Sequence, residues 1–536
     1  GFSYAHRSSP RDIITNENWE GCIGHFKIPT VLQYDEDFNV QSWGYIALAQ
    51  KPNKKVEEFK NKPAELFKLY LGKLANRPPL PEGLDYKKAI IDYLCKMGEK
   101  IRETLKLHWQ RLDVFSQVLF VLTIPAEFDD RDISVMRECA VNANLINDMD
   151  SQNLMFTTEP EAAAVHCIDT LKEHELEVGS TYMIVDCGGG TVDLTVRKFL
   201  ISENLSELTE RSGDFCGSTF VDREFLEFLG RKIGKSSLEY LTENHYHYLQ
   251  NLIQGITNDI DLYCGNTVKS PFTGDPSTFE SVEFDLEKFF PNIKTAVTGK
   301  EKEFMEKEEW LIEPKFEDVK EMFDPVIAKI ITLIYGQLNA CRNCSAMFLV
   351  GGFSESEYLQ MRIKEEFKQK VNTISVPTQP ITAILKGAVK FGLKEDIILD
   401  RVLKWTYGTP TVRKWEFTDP EDRILSGGLI KTFQTLVTKG TQISINDKVI
   451  KTFIPASLDQ KKMAFDIYVT SKNDAKYCEE DGVELLGSFL IDLPSEGDYN
   501  DKTFLFTLEF GKIEILATAE NKYTRQKLKK TFLLDI

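Results

Sequence analysis

The stretch VDCGGGTVDLTV, residues 185–196, places three consecutive glycines between two runs of strand-forming residues. A tight glycine turn exposes its backbone N–H groups without side chains in the way, and glycine tolerates the positive φ angles that such a turn requires. Thr191 follows the glycines directly and adds a hydroxyl group. The segment therefore predicts two strands joined by a turn that binds phosphate groups through Gly188, Gly189, Gly190 and Thr191.

Acidic residues stand on both sides of this turn, with Asp186 before the glycines and Asp193 after them. A carboxylate repels a phosphate directly, so the two aspartates favour a magnesium ion and its waters between the carboxylates and the phosphates. A glycine triplet alone also occurs at a β-bulge or in a mobile hairpin. The stretch is not a Rossmann fingerprint, because G-x-G-x-x-G is absent and a strand is predicted after the glycines.

A second glycine turn occurs in SAMFLVGGFSESEYL, residues 345–359, where a buried strand is predicted before Gly351 and Gly352. A helix is predicted after this turn, with Ser354 and Ser356 as candidate N-caps. Because a helix N-terminus favours anions, this turn is a candidate for the other end of a nucleotide. Two such turns on one scaffold indicate a cleft between two lobes.

The pattern of elements predicts an α/β fold followed by an all-β module. Apolar residues recur at helical spacing over 87–109, a nearly continuous apolar strand is predicted over 114–125, and a helix capped by an aspartate follows within 128–145. After residue 393 the sequence changes to short alternating segments, which predict strands over about the last 135 residues. DIILD, residues 396–400, is the predicted linker.

Composition limits the partners and the compartment. The formal charge is −18, from 65 basic and 83 acidic residues, which argues against nucleic acid or an anionic membrane as the main partner. No run of 18 apolar residues exists, so we expect no membrane span. The start GFSYAHRSSP lacks the pattern of a secretory signal. Ten cysteines without framework spacing favour the reducing cytoplasm, and the CRNC segment has no second C-x-x-C to complete a zinc site.

Six segments resemble, in order, the seventy-kilodalton heat-shock chaperones of the DnaK type, within the actin-like ATPase superfamily. They are LTIPAEFDDRDISVMRECAVNANL, TTEPEAAAVHC, VDCGGGTVDLTV, GDFCGSTFVDREFLEFL, LVGGFSESEYL and ILKGAVKFGL. The resemblance implies an actin-like (duplicated ribonuclease-H-like), two-lobed nucleotide-binding domain over residues 1–395. TYGTPTV, GVELLGSFLIDLP and neighbouring segments resemble that family's β-sandwich substrate domain, over residues 401–536. CGSTFVDREFL and ILKGAVKFGL look most like the divergent heat shock 70 kDa protein 12 branch.

The resemblance also implies ATP or ADP with Mg²⁺ as cofactors and assigns a role to each matching residue. Asp186 would orient the attacking water and the hydration shell of the magnesium ion, and Glu159 would hold another magnesium-bound water. Thr191 would contact the γ-phosphate and Asp193 would lie behind the turn. Lys68 is the match to the lysine that assists hydrolysis, with Lys73 as its competitor. The β-phosphate and adenosine side would be lined by Gly217, Ser218, Gly351, Gly352 and Ser354.

Some features depart from the family pattern. The sequence begins just past where the family's first phosphate loop lies, and it ends after the sandwich, without the helical lid. Residues 251–266, which match the helix that brings basic side chains to adenine, contain no Lys or Arg, and Ile381 replaces an acidic residue. Loss of those cations removes stacking of a cation on adenine.

The expected function is an ATP-binding, chaperone-like protein with slow, Mg-dependent ATP hydrolysis. Its nucleotide state would be coupled to a protein or peptide segment held by the sandwich, with co-chaperones as further partners. The alternative is a nucleotide-sensing scaffold with little hydrolysis. A small-molecule kinase on the same fold fits less well, because kinases of this fold carry no such sandwich.

Overall fold

The computed structural model describes residues 1–49, 63–72, 79–125, 128, 130–244, 249, 252–253, 272–290, 292–341, 343–394, 397–444, 447–455, 457–493, 498–499, 501–510 and 515–531. The chain divides into two compact units. The first unit comprises Gly1–Phe128, Val135–Thr195 and Ser212–Glu395. The second unit comprises Asp129–Ser134, Val196–Arg211 and Asp396–Ile536. Each is described by itself.

The α-helices of the described residues all precede residue 395. They are α1 Gly44–Ala49, α2 Tyr86–His108, α3 Val114–Gln117, α4 Asp130–Asn142, α5 Glu159–His166, α6 Ile168–Glu173, α7 Thr219–Ile233, α8 Lys235–Asn244, α9 Leu286–Phe289, α10 Ile293–Ala296, α11 Gly299–Lys307, α12 Phe316–Ala340, α13 Glu357–Phe367 and α14 Ala383–Leu393. None of the helices in the described ranges is long and apolar enough to cross a membrane.

Strands of the same region are mostly short. They are β1 Ser3–Tyr4, β2 Ile14–Thr15, β3 Asn18–Trp19, β4 Cys22–Ile23, β5 Val31–Tyr34, β6 Val40–Trp43, β7 Ala64–Glu65, β8 Phe120–Ile124, β9 Leu154–Thr158, β10 Thr181–Cys187, β11 Val192–Phe199, β12 Leu205–Glu207, β13 Ser212–Asp214, β14 Phe284–Asp285, β15 Leu311–Ile312, β16 Ala346–Val350 and β17 Thr373–Ser375.

The central sheet of the first unit carries both predicted glycine turns. β10 pairs in parallel with β16, which pairs in parallel with β17, and β11 lies on the other side of β10. The two strands predicted around the glycine triplet are therefore confirmed. The alternation of β11 does not give one exposed polar face, because Asp193, Thr195 and Arg197 are buried along with its apolar residues. Both faces of the strand are covered, as is usual in the sheets of α/β proteins.

A smaller parallel pair, β8 and β9, leads into helix α5. The Thr158 hydroxyl accepts from the N–H of Glu161, and the Glu161 carboxylate accepts from the N–H of Thr158, which fixes the start of α5 with a capping box. α14 packs directly on α5, since a Cβ on Gly387 would lie 1.8 Å from the carbonyl oxygen of Ala162. This contact requires glycine.

One strand prediction was wrong at its start. The apolar run 114–125 does not form one strand, because Val114–Gln117 forms helix α3 and the strand begins only at Phe120. The Asp113 carboxylate accepts from the N–H of Phe115 and the hydroxyl of Ser116, so it caps a helical turn. The helix predicted over 87–109 is confirmed as α2, Tyr86–His108.

The second unit is mainly β-structure. Its strands after residue 395 are β18 Asp400–Val402, β19 Thr406–Lys414, β20 Ile424–Leu425, β21 Leu429–Val437, β22 Gln442–Ser444, β23 Lys448–Phe453, β24 Lys462–Thr470, β25 Val483–Asp492, β26 Phe504–Phe510, β27 Ile515–Asn521 and β28 Lys527–Thr531. One sheet has the order β20-β21-β19-β24-β25 and another β23-β26-β27-β28. Phe465 and Phe506, one from each sheet, stack with ring centroids 5.1 Å apart in a shared core.

The segment 397–402 is tied to strand β12 by backbone and carboxylate contacts. Leu205 donates to the carbonyl of Ile397 (2.7 Å), and the Asp400 carboxylate accepts from the N–H of Glu207 (2.9 Å). The fully buried carboxylate of Glu207 pairs with Arg197 (2.9 Å) and accepts from the N–H of Val402 (2.7 Å).

The order of elements confirms the predicted α/β part followed by a β-structured part. The domain division at 396–400 stays a prediction.

Candidate functional site

The glycine turn is closed by a hydrogen bond from the N–H of Gly188 to the carbonyl of Thr191 (2.9 Å). Its carbonyl groups face the start of helix α7. Gly188 accepts from the N–H of Ser218 (3.1 Å), and Gly189 accepts from both the N–H and the hydroxyl of Thr219 (2.9 Å each). The N-terminal end of α7 therefore holds the turn from behind.

The opposite side of the turn is open. Among the described residues, no backbone carbonyl accepts from the N–H of Gly189 or Gly190, and Gly189 is exposed. Gly217 lies so close behind the turn that a Cβ there would be 2.4 Å from the carbonyl oxygen of Gly189. The arrangement leaves backbone donors on this side of the turn, and their predicted role toward phosphate stays a prediction.

The turn borders a cavity of about 1850 Å³ in the first unit. Its lining combines backbone, hydroxyl and charged groups, among them Lys27, Lys68, Glu159, Asp186, Gly188, Gly189, Gly190, Thr191 and Thr219. A cavity of this size exceeds the volume of most small-molecule sites. Gly217, Ser218, Gly351, Gly352 and Ser354 do not line it, so their predicted roles toward the nucleotide stay predictions.

Lys68 and Glu159 meet at the cavity although 91 positions separate them. Their side chains form an ion pair with Nζ 2.6 Å from Oε1. Lys68 lies in a 3₁₀ turn, Phe67–Tyr70, and Glu159 is the first residue of α5. Lys73, its competitor from the sequence, lies outside the described residues. Two of the side chains that the resemblance assigned to hydrolysis are therefore in contact.

Asp186 is the centre of the charged cluster. Its side chain is only 2% exposed, and its Oδ1 has no hydrogen-bond partner among the described residues. Burial raises the pKa of Asp186 well above its usual value, and the charges of Glu159 and Asp193 raise it further. Lys27 and Lys68 act in the opposite direction. A buried carboxylate without a donor is costly unless a cation compensates it.

The donor set suits magnesium held through water. An unsatisfied carboxylate oxygen of Asp186 next to the Glu159 carboxylate offers acceptors for the waters of a hydrated Mg²⁺, which keeps several waters in protein sites. Within the described part of the chain, no group of three or more His, Cys, Asp or Glu could hold a metal ion. The Asp186 and Glu159 carboxylates would hold such an ion through its waters.

Asp193 lies in strand β11, two residues after the turn. It is 1% exposed and pairs in register with Gly213 of β13, where a Cβ would lie 2.8 Å from the Asp193 Oδ1. Cys187, between Asp186 and the glycines, is fully buried, and burial raises the pKa of its thiol. It is therefore a small apolar residue rather than a reactive thiolate.

The second glycine turn lies next to Asp186. Gly351 has φ +85°, and a Cβ there would be 2.5 Å from the Asp186 Oδ1. Its N–H donates to the carbonyl of Pro380, beside Ile381. Ser356 caps α13 by accepting from the N–H of Leu359, as predicted, whereas the buried Ser354 hydroxyl donates to the carbonyl of Val350. The Ser354 hydroxyl therefore stabilises the turn from its buried side.

Two site residues escaped the sequence reasoning. Thr219 directly follows Gly217 and Ser218, which the sequence analysis placed at the nucleotide. Its position next to this pair could have identified it as a site residue. Lys27 lies in the segment HFKIPT, which carries no pattern that marks a phosphate site. The helix predicted over 251–266 lies outside the described residues, apart from 252 and 253.

Comparison with known proteins finds relatives that match nearly the whole chain. Heat shock 70 kDa protein 12A of Mus musculus is 24% identical over 606 residues, spanning 99% of this chain and 89% of that protein. Heat shock 70 kDa protein 12B of Homo sapiens is 23% identical, spanning 99% and 88%. Chaperone protein DnaK of Picrophilus torridus is 25% identical over 301 residues, 54% of this chain and 43% of that protein. No family model matches the chain.

The similarity to the two protein 12 members runs across both the α/β part and the β-structured part, and the DnaK similarity is partial. The resemblance carried by the sequence motifs is therefore confirmed: the chain is related to the heat shock 70 kDa protein family and is similar over its whole length to the protein 12 branch.

Proposed function

We propose that the chain is an ATP-binding, chaperone-like protein, which binds ATP or ADP with Mg²⁺ at the glycine turn and hydrolyses ATP slowly. The observation that carries this proposal is the turn itself. Its carbonyls are tied to α7, and the N–H groups of Gly189 and Gly190 meet no backbone carbonyl in the described ranges. Such donors suit the β- and γ-phosphates of a nucleotide.

The charged residues around the turn have separate roles in this proposal. Asp186 accepts a hydrogen bond from the attacking water and so orients it, while Glu159 holds a second water. Thr191 donates its hydroxyl to the γ-phosphate, and the backbone amides of the turn stabilise the charge that develops in the transition state. Bound Mg²⁺ would neutralise phosphate charge. Lys68, held by Glu159, would lie beside the same phosphate.

The β-structured part supplies the second half of the proposal, which is binding of an extended protein or peptide segment. Strand-like peptides add main-chain hydrogen bonds to a sheet and place alternate side chains in pockets. The support is similarity to two kinds of relative. The similarity to the chaperone DnaK is partial, and the similarity to the protein 12 members extends across the β-structured part. A cytoplasmic location and co-chaperones belong to the same proposal.

A nucleotide-sensing scaffold with little hydrolysis is the second candidate. The observation that favours it is the ion pair between Lys68 and Glu159, whose charged atoms lie 2.6 Å apart. A lysine that is paired with a carboxylate has less of its charge available to a phosphate. Under this alternative, nucleotide binding changes the protein but turnover stays near zero. Both candidates require binding, so binding is measured before turnover.

The test is titration of fluorescently labelled ATP into the full chain, with and without Mg²⁺, followed by single-turnover hydrolysis. We expect Mg-dependent binding that Asp186→Asn weakens at least tenfold, while Asp474→Asn, an exposed aspartate of the second unit, leaves it unchanged. Equal turnover by the wild type and Asp186→Asn would support the scaffold. Absence of binding with Mg²⁺ would reject both candidates.

A further inference from the structure

Lys27 lies in a segment whose backbone is firmly held. The hydroxyl of Tyr45 donates to the carbonyl of Lys27 (3.1 Å), and the hydroxyl of Tyr93 donates to the carbonyl of Pro29 (3.4 Å). Ile28, between these anchors, is 6% exposed. The main chain at Lys27 is therefore fixed, and only the flexible end of its side chain is left to adapt to a ligand.

The Lys27 side chain lines the same cavity as the glycine turn. Its charge and that of Lys68 both favour the ionised form of Asp186, which lines the same cavity. Lys27 therefore shares this cavity with Asp186 and with the glycine turn.

The two lysines differ in their partners. Glu159 holds the Lys68 ammonium at 2.6 Å. Lys27 has no carboxylate within ion-pair distance of its ammonium among the described residues. A half-buried ammonium without a counter-charge costs free energy, which a bound anion would recover. Lys27 is therefore a cation of the cavity lining that no carboxylate of the described residues holds.

Charge around the cavity agrees with an anionic ligand. Its lining includes four basic residues (Arg7, Lys27, Lys68 and Arg111) against three acidic ones (Glu65, Glu159 and Asp186). The chain as a whole carries a net charge of −18. A cavity with a basic excess in a strongly acidic protein attracts anions locally.

We propose that Lys27 is a phosphate-binding residue whose ammonium contacts the terminal phosphates of a polyphosphate held at the glycine turn. The proposal rests on the proposed nucleotide site and adds a residue that the family resemblance did not assign. Lys27 supplies charge and a hydrogen bond, and Lys68 stays with Glu159. The Lys27 ammonium would contact the negatively charged phosphates and not the nucleotide base. Inorganic tripolyphosphate is therefore a sufficient ligand for this contact.

The experiment measures binding of Mg·tripolyphosphate and Mg·ATP to the full chain by isothermal titration calorimetry. Lys27→Met removes the charge but keeps most of the side-chain length, and we expect about tenfold weaker binding of both ligands, about 1.4 kcal/mol. Lys27→Arg should restore affinity to within about threefold, since it keeps a cation on a long stem. Lys307→Met, an exposed lysine of α11, changes the net charge equally and should bind as the wild type does.

Further readouts separate a ligand contact from a structural role. In the absence of ligand, Lys27→Met should unfold at the same temperature as the wild type or slightly higher, and its ligand affinity should fall less steeply with added salt. Wild-type binding that Lys27→Met leaves unchanged overturns this proposal and leaves the nucleotide site standing. A wild type that binds neither ligand overturns both. A loss that Lys27→Arg does not restore, together with a lower unfolding temperature, assigns Lys27 a structural role and also overturns the proposal.

Discussion

Substitution of Asp186 by asparagine should stabilise the ligand-free protein and weaken its binding of Mg·ATP at least tenfold. The Asp186 carboxylate is 2% exposed, its Oδ1 has no donor in the described part of the chain, and Glu159 and Asp193 repel its charge. Asparagine removes that charge at almost the same volume. Sites that hold repelling charges for function are commonly less stable than a neutral replacement.

The size of the effect follows from the burial. Leaving a buried polar group unsatisfied costs about 1–3 kcal/mol, and more when it is charged. The first unit contains about 370 residues, and an unfolding entropy of about 2.1 cal/mol/K per residue gives about 0.8 kcal/mol/K. A gain of about 1–3 kcal/mol therefore corresponds to a rise of about 1–4 °C in the unfolding midpoint of this unit.

The pH dependence has a definite sign. Because folding raises the pKa of Asp186, the folded state favours the protonated carboxyl, and this group costs stability as pH rises above the ordinary aspartate pKa of about 3.9. The penalty is complete above the raised pKa. The midpoint of Asp186→Asn should therefore exceed that of the wild type at pH 8, and the difference should shrink as pH falls toward 4.

Differential scanning calorimetry between pH 4 and pH 8, with and without Mg·ATP, measures both effects. Asp222 is the matched control, since burial raises its pKa to about 7 but it does not line the cavity. Asp222→Asn should also stabilise the ligand-free protein at pH 8, yet keep the further rise caused by Mg·ATP. A midpoint of Asp186→Asn at or below that of the wild type at pH 8 would refute the reasoning.

Two further predictions concern the turn and the second unit. Gly217→Ala should weaken Mg·ATP binding at least tenfold in titrations, because its Cβ would lie 2.4 Å from the carbonyl oxygen of Gly189, whereas Gly336→Ala, with open space around the new Cβ, should bind normally. Glu207→Ala should destabilise the second unit by about 3–5 kcal/mol, because it strands the fully buried Arg197. Glu207→Gln should lose less in chemical denaturation, and equal losses for Ala and Gln would contradict the role of the ion pair.

Local features of the site could be read from the sequence, because each is encoded by neighbouring residues. The glycine triplet, the flanking aspartates and the cap at Ser356 all lie within a few positions of the strand or helix that they define. The helical turn of α3 shows where the same reasoning failed. The apolar pattern of 114–125 indicated a strand, but Asp113 offered the backbone a competing cap.

Contacts between distant positions could not be derived from the residues alone. The family resemblance assigned Lys68 and Glu159 to the same site but did not predict their ion pair, and Lys27 had no motif to identify it. The pairing of 397–400 with Leu205 and Glu207 was missed because DIILD is too short to show a strand period. Such contacts depend on the folded topology, in which residues about 200 positions apart lie side by side.

A fully buried ion pair holds strands β11 and β12 in register. Arg197 of β11 pairs with Glu207 of β12, and the Glu207 carboxylate also accepts from the N–H of Val402. Sliding β11 relative to β12 would separate this ion pair, and breaking such a pair costs about 3–5 kcal/mol. The register of the two strands is therefore set by the buried charges as well as by the backbone hydrogen bonds between the strands.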